Sequence, residues 1–239
     1  MQQDKNQMYN KAYYFDCKFE DLTYDLKEVY QLMGYGEYEP SEFVQSTINE
    51  ILVDLKRVMT PRYGYVLVDG SVIDSEHIVV GGIEFAPGKI ITHAMKNADY
   101  YALFTVTIGK GFDDYCRKYK EDDDMLRAFI TDALGSILAE AVVARLVDHL
   151  KNESESNGLH ISNNYSPGYC NWKLVEQRKL FHFFPKEQSG ISLTDSCLML
   201  PVKSVSGIIA IGKNVKKHPY GCAICNMKSC IMNKKKRTT

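Results

Sequence analysis

The segment Tyr165-Ser166-Pro167-Gly168-Tyr169 sets a turn between two flat aromatic rings. Proline presets φ at the second position of a type II turn and glycine accepts the positive φ of the third, so Pro167-Gly168 fits that turn. Without a Cβ at Gly168, a ligand can approach the backbone closely. The two tyrosines offer faces and hydroxyls able to cover a planar ligand. Asn171 follows at N-cap spacing for a further helix, so the loop is expected to feed a helix N-terminus. A plain surface turn with two half-buried tyrosines is the simpler alternative, because Pro-Gly turns are common.

Glu140 is a second candidate. It is the only charged residue between Asp132 and Arg145, with Leu138, Ala139, Ala141, Val142 and Val143 around it. Desolvating a carboxylate costs several kcal/mol, about enough to demand a partner. Arg145 lies five positions on, off the same helix face, so the partner is expected from outside the helix, whether protein or ligand. The alternative is that this face opens to water.

The third candidate is His218-x3-Cys222-x2-Cys225-x4-Cys230. A C-x2-C pair on a tight turn lets two thiolates reach one metal, and Cys230 with His218 or a remote cysteine would complete a tetrahedral set. Soft thiolates suit zinc or an iron–sulfur cluster, and the spacing does not separate the two. The segment is also basic. From Lys213 onward it carries Lys213, Lys216, Lys217, Lys228, Lys234, Lys235, Lys236 and Arg237 and no acidic residue, whereas all 30 acidic residues precede it. The chain as a whole is near neutral, at −1 over 239 residues, so no global charge points to nucleic acid or membrane. A reactive, solubilising or nucleic-acid-binding tail is the competing reading. The remaining cysteines, Cys17, Cys116, Cys170 and Cys197, are dispersed and read as structural.

The elements that must hold these groups follow from periodicity. Thr23 to Met33 reads as a short helix ending at Gly34, and Ser41 to Val58 as a second, with Phe43, Ile48, Ile51, Leu52 and Leu55 as its buried stripe. Tyr63–Val68, Ile78–Val80 and Ile83–Phe85 read as strands between glycine-bearing turns. Tyr100 to Ile108 is apolar on both faces and is expected at the centre of a sheet. Phe112 to Lys120 and Met125 to Lys151 read as helices, the latter opened by the acidic run Asp122-Asp123-Asp124 and apolar nearly all round in its middle. Asn152 to Asn164 is polar and loop-like, Lys173 to Phe184 reads as a last amphipathic helix, and Val205 to Ile211 as a final strand. Tyr9, Tyr13, Tyr14 and Phe15 form an aromatic cluster expected to pack in the core. Without regular β-α-β alternation the fold class is α+β, a mostly antiparallel sheet with flanking helices. The expected organisation is one domain over 1–212 and a tail over 213–239.

The polar start MQQDKNQMYN has no apolar core of a secretory signal, and no stretch approaches the ~18 apolar residues of a spanning helix. The chain is therefore expected to be soluble and cytoplasmic, with reduced or metal-bound thiols. No GxxxxGK[ST], GxGxxG, HExxH or GxSxG pattern is present, so the residues do not announce a self-sufficient hydrolase, kinase or dehydrogenase.

Asn164 to Tyr169, then Ile191-Ser-Leu-Thr-Asp-Ser-Cys-Leu-Met-Leu-Pro201 and Lys203-Ser-Val-Ser-Gly207, resemble in order the reactivation domain of cobalamin-dependent methionine synthase. That family has an R-x-[AS]-P-G-Y loop followed by L-T-[DE]-S-x-x-M-x-P and S-V-S-G. Thr105 to Gly109 and Leu138-Ala-Glu-Ala141 are similar to its upstream elements. The resemblance covers residues 104–212 and implies a twisted sheet in a single C-shaped domain. It also implies a stand-alone auxiliary that binds S-adenosylmethionine and docks over the cobalamin of a partner methionine synthase. One-electron reduction of cob(II)alamin, typically by flavodoxin, would there be trapped by methyl transfer, with no turnover by this chain alone. Reactivation of another corrinoid methyltransferase is the nearest alternative.

In that picture Ser166 and Gly168 would offer backbone contacts, Tyr169 would face the corrinoid or sulfonium, and Glu140 would stand near the site. Asn164 falls where the family has an arginine and lacks the charged fork that clamps a ligand carboxylate. Lys173, Arg178 or Lys203 are the candidates to replace it. A tail cluster on Cys222, Cys225 and Cys230 would fit electron delivery to a corrinoid.

Overall fold

The computed structural model describes residues 11–121 and 123–217. In chain order, β1 (Ala12–Asp16) leads to α1 (Leu26–Leu32) and α2 (Glu42–Val58). β2 (Arg62–Val68), β3 (Gly70–Val72), β4 (Ile78–Val80) and β5 (Ile83–Phe85) follow, then α3 (Gly88–Ala94), β6 (Tyr100–Thr107), α4 (Lys110–Glu121) and α5 (Met125–Glu155). The last part holds β7 (His160–Ile161), α6 (Gln177–Leu180), α7 (Lys186–Ser189), β8 (Ser192–Leu193), β9 (Met199–Leu200) and β10 (Ser204–Gly212).

The main sheet has the order β1-β2-β6-β10-β7 with every neighbour antiparallel. β6 sits at its centre, as its two apolar faces require. Alternate residues of the strands enter two separate cores. On the first face Ala102, Phe104, Val106, Ile209 and Ile211 pack against α2 (Ile48, Ile51, Leu55) and α5 (Leu134, Leu138, Val142). On the second, Tyr101, Leu103, Ile208 and Ala210 meet Phe85, Ile91, Tyr165, Trp172 and Phe184. The fold is thus α+β with antiparallel sheets and flanking helices.

Local signals explain the helix starts. Ser41 caps α2 by accepting from Val44 N–H at 3.5 Å, and Asp124 caps α5 by accepting from Arg127 N–H at 3.0 Å. The aromatic cluster is an edge strand: in β1, Phe15 stacks on Tyr63 at 5.2 Å and Tyr13 leans on Tyr65 at 5.9 Å. Tyr9 lies outside the described residues.

Three expectations need correction. Lys173 to Phe184 is not one helix but two 3-10 turns, Leu174–Glu176 and Phe181–Phe183, around the single turn of α6. Its polar side chains are drawn into tertiary bonds instead: Glu176 Oε2 accepts from Ala86 N–H at 2.9 Å, and Gln177 Nε2 donates to the Cys197 carbonyl at 3.2 Å. Asn171 does not cap it, since that residue is left-handed (φ 68°) and Lys173 precedes the first turn. Finally, the loop expected over Asn152–Asn164 is partly ordered. α5 continues to Glu155, and β7 pairs with β10 while Ser162 exchanges bonds with Ala210 through its N–H and its Oγ, each at 2.9 Å.

At the other end packing continues past Gly212. Lys213 N–H donates to Asp99 Oδ2 at 2.9 Å, and Val215 is buried in the second core. No helix among the described residues is long and apolar enough to cross a membrane.

Candidate functional site

The Pro-Gly loop hangs on the outer edge of β10. Tyr165 N–H donates to the Ile208 carbonyl at 3.0 Å and its carbonyl accepts from Ile208 N–H at 2.8 Å, an isolated antiparallel bridge. Close approach at that point needs Gly207, because a Cβ there would run into the Tyr165 carbonyl oxygen and come within 2.8 Å of the Phe104 ring. Tyr165 is buried, and burial pushes its hydroxyl up to about 12, with Cys170 adding to the shift.

The turn itself is as expected from sequence. Tyr169 N–H donates to the Ser166 carbonyl at 3.2 Å across Pro167-Gly168, with Gly168 at φ 94°. The chain then folds back on itself: Gly168 N–H donates to the Trp172 carbonyl at 2.7 Å and Trp172 N–H to the Tyr169 carbonyl at 2.8 Å, through left-handed Cys170 and Asn171. This amends one expectation about Gly168. Its N–H is committed inside the loop, so what it offers a ligand is open approach, the nearest side chain to an added Cβ being Leu174 at 3.6 Å. Tyr169 remains 40% exposed at the tip.

Trp172 anchors the loop. Its ring is fully buried in the second core, edge-on to Phe85 at 6.2 Å, and its indole N–H has no hydrogen-bond partner among the described residues. Beyond it the short helical segment is tied down on both sides. Glu176 reaches Ala86 and Lys179, and Lys179 also donates to the Glu84 carbonyl at 2.8 Å. On the other flank Arg178 Nε donates to Cys197 Sγ at 3.1 Å, and its guanidinium also donates to the Asp195 carbonyl.

Glu140 projects from α5, on the first face of the sheet. It is half-buried; burial holds its carboxyl above the usual carboxylate range, and the like charge of Glu28 on α1 adds to the effect. No described cation pairs with it. Asn163 hydrogen-bonds the Tyr165 hydroxyl, so both serve the second face. Asn164, Ser166, Gly168 and Tyr169 flank in sequence the Tyr165 bridge on the β10 edge, whereas Glu140 stands on α5 in the helix layer.

Of the cations considered for the role of the missing arginine, two are engaged elsewhere. Arg178 holds the Asp195–Cys197 turn, and Lys203 Nζ lies 2.8 Å from both Asp132 Oδ1 and Ser136 Oγ. Lys173 is exposed, follows Trp172 directly and has no ion pair among the described residues. His218, Cys222, Cys225 and Cys230 lie outside the described residues. Within those that are described, no cluster of three or more His, Cys, Asp or Glu could hold a metal, and no disulfide links Cys17, Cys116, Cys170 and Cys197. A cavity of about 160 Å³ opens between α2 and the start of α5, lined by Phe43, Thr47, Glu50 and Arg127; it is remote from the loop in the chain and belongs to the helix layer.

The family model for the vitamin B12 dependent methionine synthase activation domain matches residues 88–227, more than half of the chain and all of the loop region. The chain belongs to this family. Among solved structures, the MetH reactivation domain bound to AdoHcy superposes with a TM-score of 0.67 at 17% identity, covering 87% of this chain and 80% of that one. The activation domain therefore has the MetH reactivation-domain fold. Sequence reasoning overlooked the residues that brace its loop. Trp172 is the only tryptophan in the chain and directly follows the turn region, which was a usable signal. Nothing local in the sequence marks the bracing bonds of Glu176, Gln177 and Arg178 to Ala86, Cys197 and Asp195, which span between 17 and 90 positions.

Proposed function

We propose that this activation domain binds S-adenosylmethionine at the β10 edge and supports reductive remethylation of cob(II)alamin on a partner cobalamin-dependent methionine synthase. The observation that carries the reading is the loop: a braced type II turn in a member of this family, with Gly168 open and Tyr169 exposed at its tip. A sulfonium cation gains from the face of a tyrosine ring and from a carboxylate, and Glu140 is a carboxylate with no cation paired to it among the described residues.

The chemistry belongs to the partner's cobalt: one electron added to cob(II)alamin yields the reduced cobalt that takes the methyl group, leaving S-adenosylhomocysteine. The role of this chain is to hold the donor. Pro167-Gly168 leaves room for the ligand, Ser166 and Asn164 line the edge beside it, and Tyr169 turns an aromatic face outward toward the corrinoid. Asn164 supplies amide hydrogen bonds and no charge, so Lys173 takes the ligand carboxylate. The exposed Leu174, Val175, Leu198, Leu200 and Val202 give the partner an apolar surface beside the loop.

Delivery of the electron is assigned to a flavodoxin-like donor or to a cluster on Cys222, Cys225 and Cys230 with His218. Thiolates in a C-x2-C pair suit iron–sulfur or zinc, and only the former carries an electron. Metal and sulfide analysis of anaerobically purified full-length chain separates them, and zinc alone removes the electron-carrying role. Calorimetric titration with S-adenosylmethionine, followed by addition of a cob(II)alamin-loaded methionine synthase, tests the whole reading. Saturable 1:1 binding and methylcobalamin formed only with an electron donor present are expected; no binding at millimolar ligand overturns it.

A further inference from the structure

Lys173 to Glu176 form a single turn, closed by Glu176 N–H donating to the Lys173 carbonyl at 3.1 Å. The turn borders the open approach to the Pro-Gly loop. Lys173 directly follows Trp172, and Leu174 Cδ1 comes within 3.6 Å of where a Cβ on Gly168 would stand. Leu174 and Val175 are 40% and 54% exposed, so burial of the turn's own apolar side chains does not fix it. Its two ends do.

One end is Trp172, whose ring lies in the second core. The other is Glu176, a carboxylate only 9% exposed with a partner for each oxygen. Oε2 accepts from Ala86 N–H at 2.9 Å, and Oε1 lies 2.7 Å from Lys179 Nζ. Lys179 in turn donates to the Glu84 carbonyl on β5 at 2.8 Å. Burying a carboxylate is a poor way to gain stability, because desolvation offsets the attraction. It is an effective way to fix geometry, since charge-assisted bonds are short and directional. Glu176 thus ties two distant parts together: its N–H holds the Lys173 carbonyl, and its side chain holds Ala86, 90 positions away, just after β5.

We infer that Glu176 is a positioning residue that holds Lys173 where it meets the ligand carboxylate, without itself touching the ligand. This rests on the proposed function above, in which Lys173 takes that carboxylate. Two probes separate the ends of the ligand. S-adenosylhomocysteine carries the carboxylate, whereas 5′-methylthioadenosine keeps the nucleoside and thioether and lacks it.

The test uses full-length wild-type chain, Glu176→Ala and Glu176→Gln, which keeps an oxygen able to accept from Ala86 N–H. Exchange of the Ala86 amide is expected to quicken about tenfold or more in Glu176→Ala and less than about threefold in Glu176→Gln, with the β6–β10 ladder unchanged. S-adenosylhomocysteine affinity is expected to fall about tenfold in Glu176→Ala and to recover to within about threefold in Glu176→Gln. Affinity for 5′-methylthioadenosine stays within about twofold of wild type in both. In wild type, saturating S-adenosylhomocysteine is expected to slow Ala86 exchange and 5′-methylthioadenosine to leave it, because coupling between bond and ligand is reciprocal. An equal loss of both probes overturns the inference, as does unchanged Ala86 exchange in Glu176→Ala, or quickened exchange with S-adenosylhomocysteine affinity intact. Equal effects of the two probes on wild-type Ala86 overturn it even if Glu176→Ala does not fold. A wild-type chain that binds neither probe overturns the proposed function itself, and Ala86 exchange in the variants still shows separately whether Glu176 holds the turn.

Discussion

The two faces of the five-stranded sheet are fed by the same strands, residue by residue in alternation, yet they are built to different standards. On the first face α5 (31 residues) and α2 (17 residues) lay regular apolar stripes across Phe104, Val106 and Ile209. On the second, no helix among the described residues exceeds the seven residues of α3, and the chain runs through 3-10 turns and left-handed Gly168, Cys170, Asn171 and Cys197. Trp172 Nε1 and Ser206 Oγ are buried there without hydrogen-bond partners among the described residues, as is Thr131 Oγ1 of α5 on the first face. Regular packing makes the first face a foundation. Irregular backbone costs conformational free energy, about 1–3 kcal/mol at each left-handed non-glycine residue, and persists only where surrounding structure holds it. The candidate site lies along the edge where the two meet.

That contrast can be broken by substitution. Leu138→Ala empties a fully buried position under α5 and is expected to cost about 2–5 kcal/mol in urea unfolding, while the surviving native protein binds ligand as before. Loss of ligand affinity in native Leu138→Ala would contradict the division of labour between faces. Gly207→Ala is expected to cost about 1–3 kcal/mol, because the added methyl meets the Tyr165 backbone and must displace the loop. Here ligand binding should fall with stability, and an unaltered calorimetric titration would show that the loop's seat on β10 is irrelevant to the site. Tyr169→Ala sharpens the comparison from the other side. Removing a 40% exposed ring should move stability by less than about 0.5 kcal/mol, yet lower ligand or partner affinity roughly tenfold.

The smallest effect concerns Glu140. Burial and the like charge of Glu28 raise its folded-state pKa above the unfolded value, so the folded protein holds this proton more tightly. Its contribution is fully present below the ordinary glutamate pKa of about 4.3 and is lost as pH rises through the raised value. Glu140→Gln should therefore gain up to about 1 kcal/mol at pH 7, discounted because the group is half-buried, and should flatten stability against pH just above that range. Thermal melts from pH 4 to 7 check the sign; a variant less stable at pH 7 than wild type would mean that Glu140 has a favourable partner.

Much of the first face was legible in the sequence because its signals are local. The apolar spacing in Ile48–Leu55, the acidic start before Met125 and the β-branched and aromatic run Tyr100–Ile108 are each local, and the elements fall within a few residues of expectation; Phe43, expected in the buried stripe of α2, is instead 69% exposed in the helix's first turn. The Pro167-Gly168 turn was legible for the same reason. The second face was not, because its order comes from distant partners. Lys173 to Phe184 carries a helical pattern, but Glu176 and Gln177 find better hydrogen bonds at Ala86 and Cys197, and the helix gives way. α3 opens on a left-handed Gly88, after Pro87 and without a side-chain cap, which ordinary helix-start rules do not signal. For the site, the sequence supplied the loop residues but not their availability: that Gly168 N–H is already bonded, and that Arg178 and Lys203 are engaged elsewhere, depends on partners up to 71 positions away.

The most direct test is an amide-resolved NMR titration of the full-length chain with S-adenosylhomocysteine. The account predicts saturable shifts centred on Ser166, Gly168, Tyr169 and Lys173, with the α2 and α5 core amides unmoved. Shifts confined to other surfaces, or none at millimolar ligand, would contradict it.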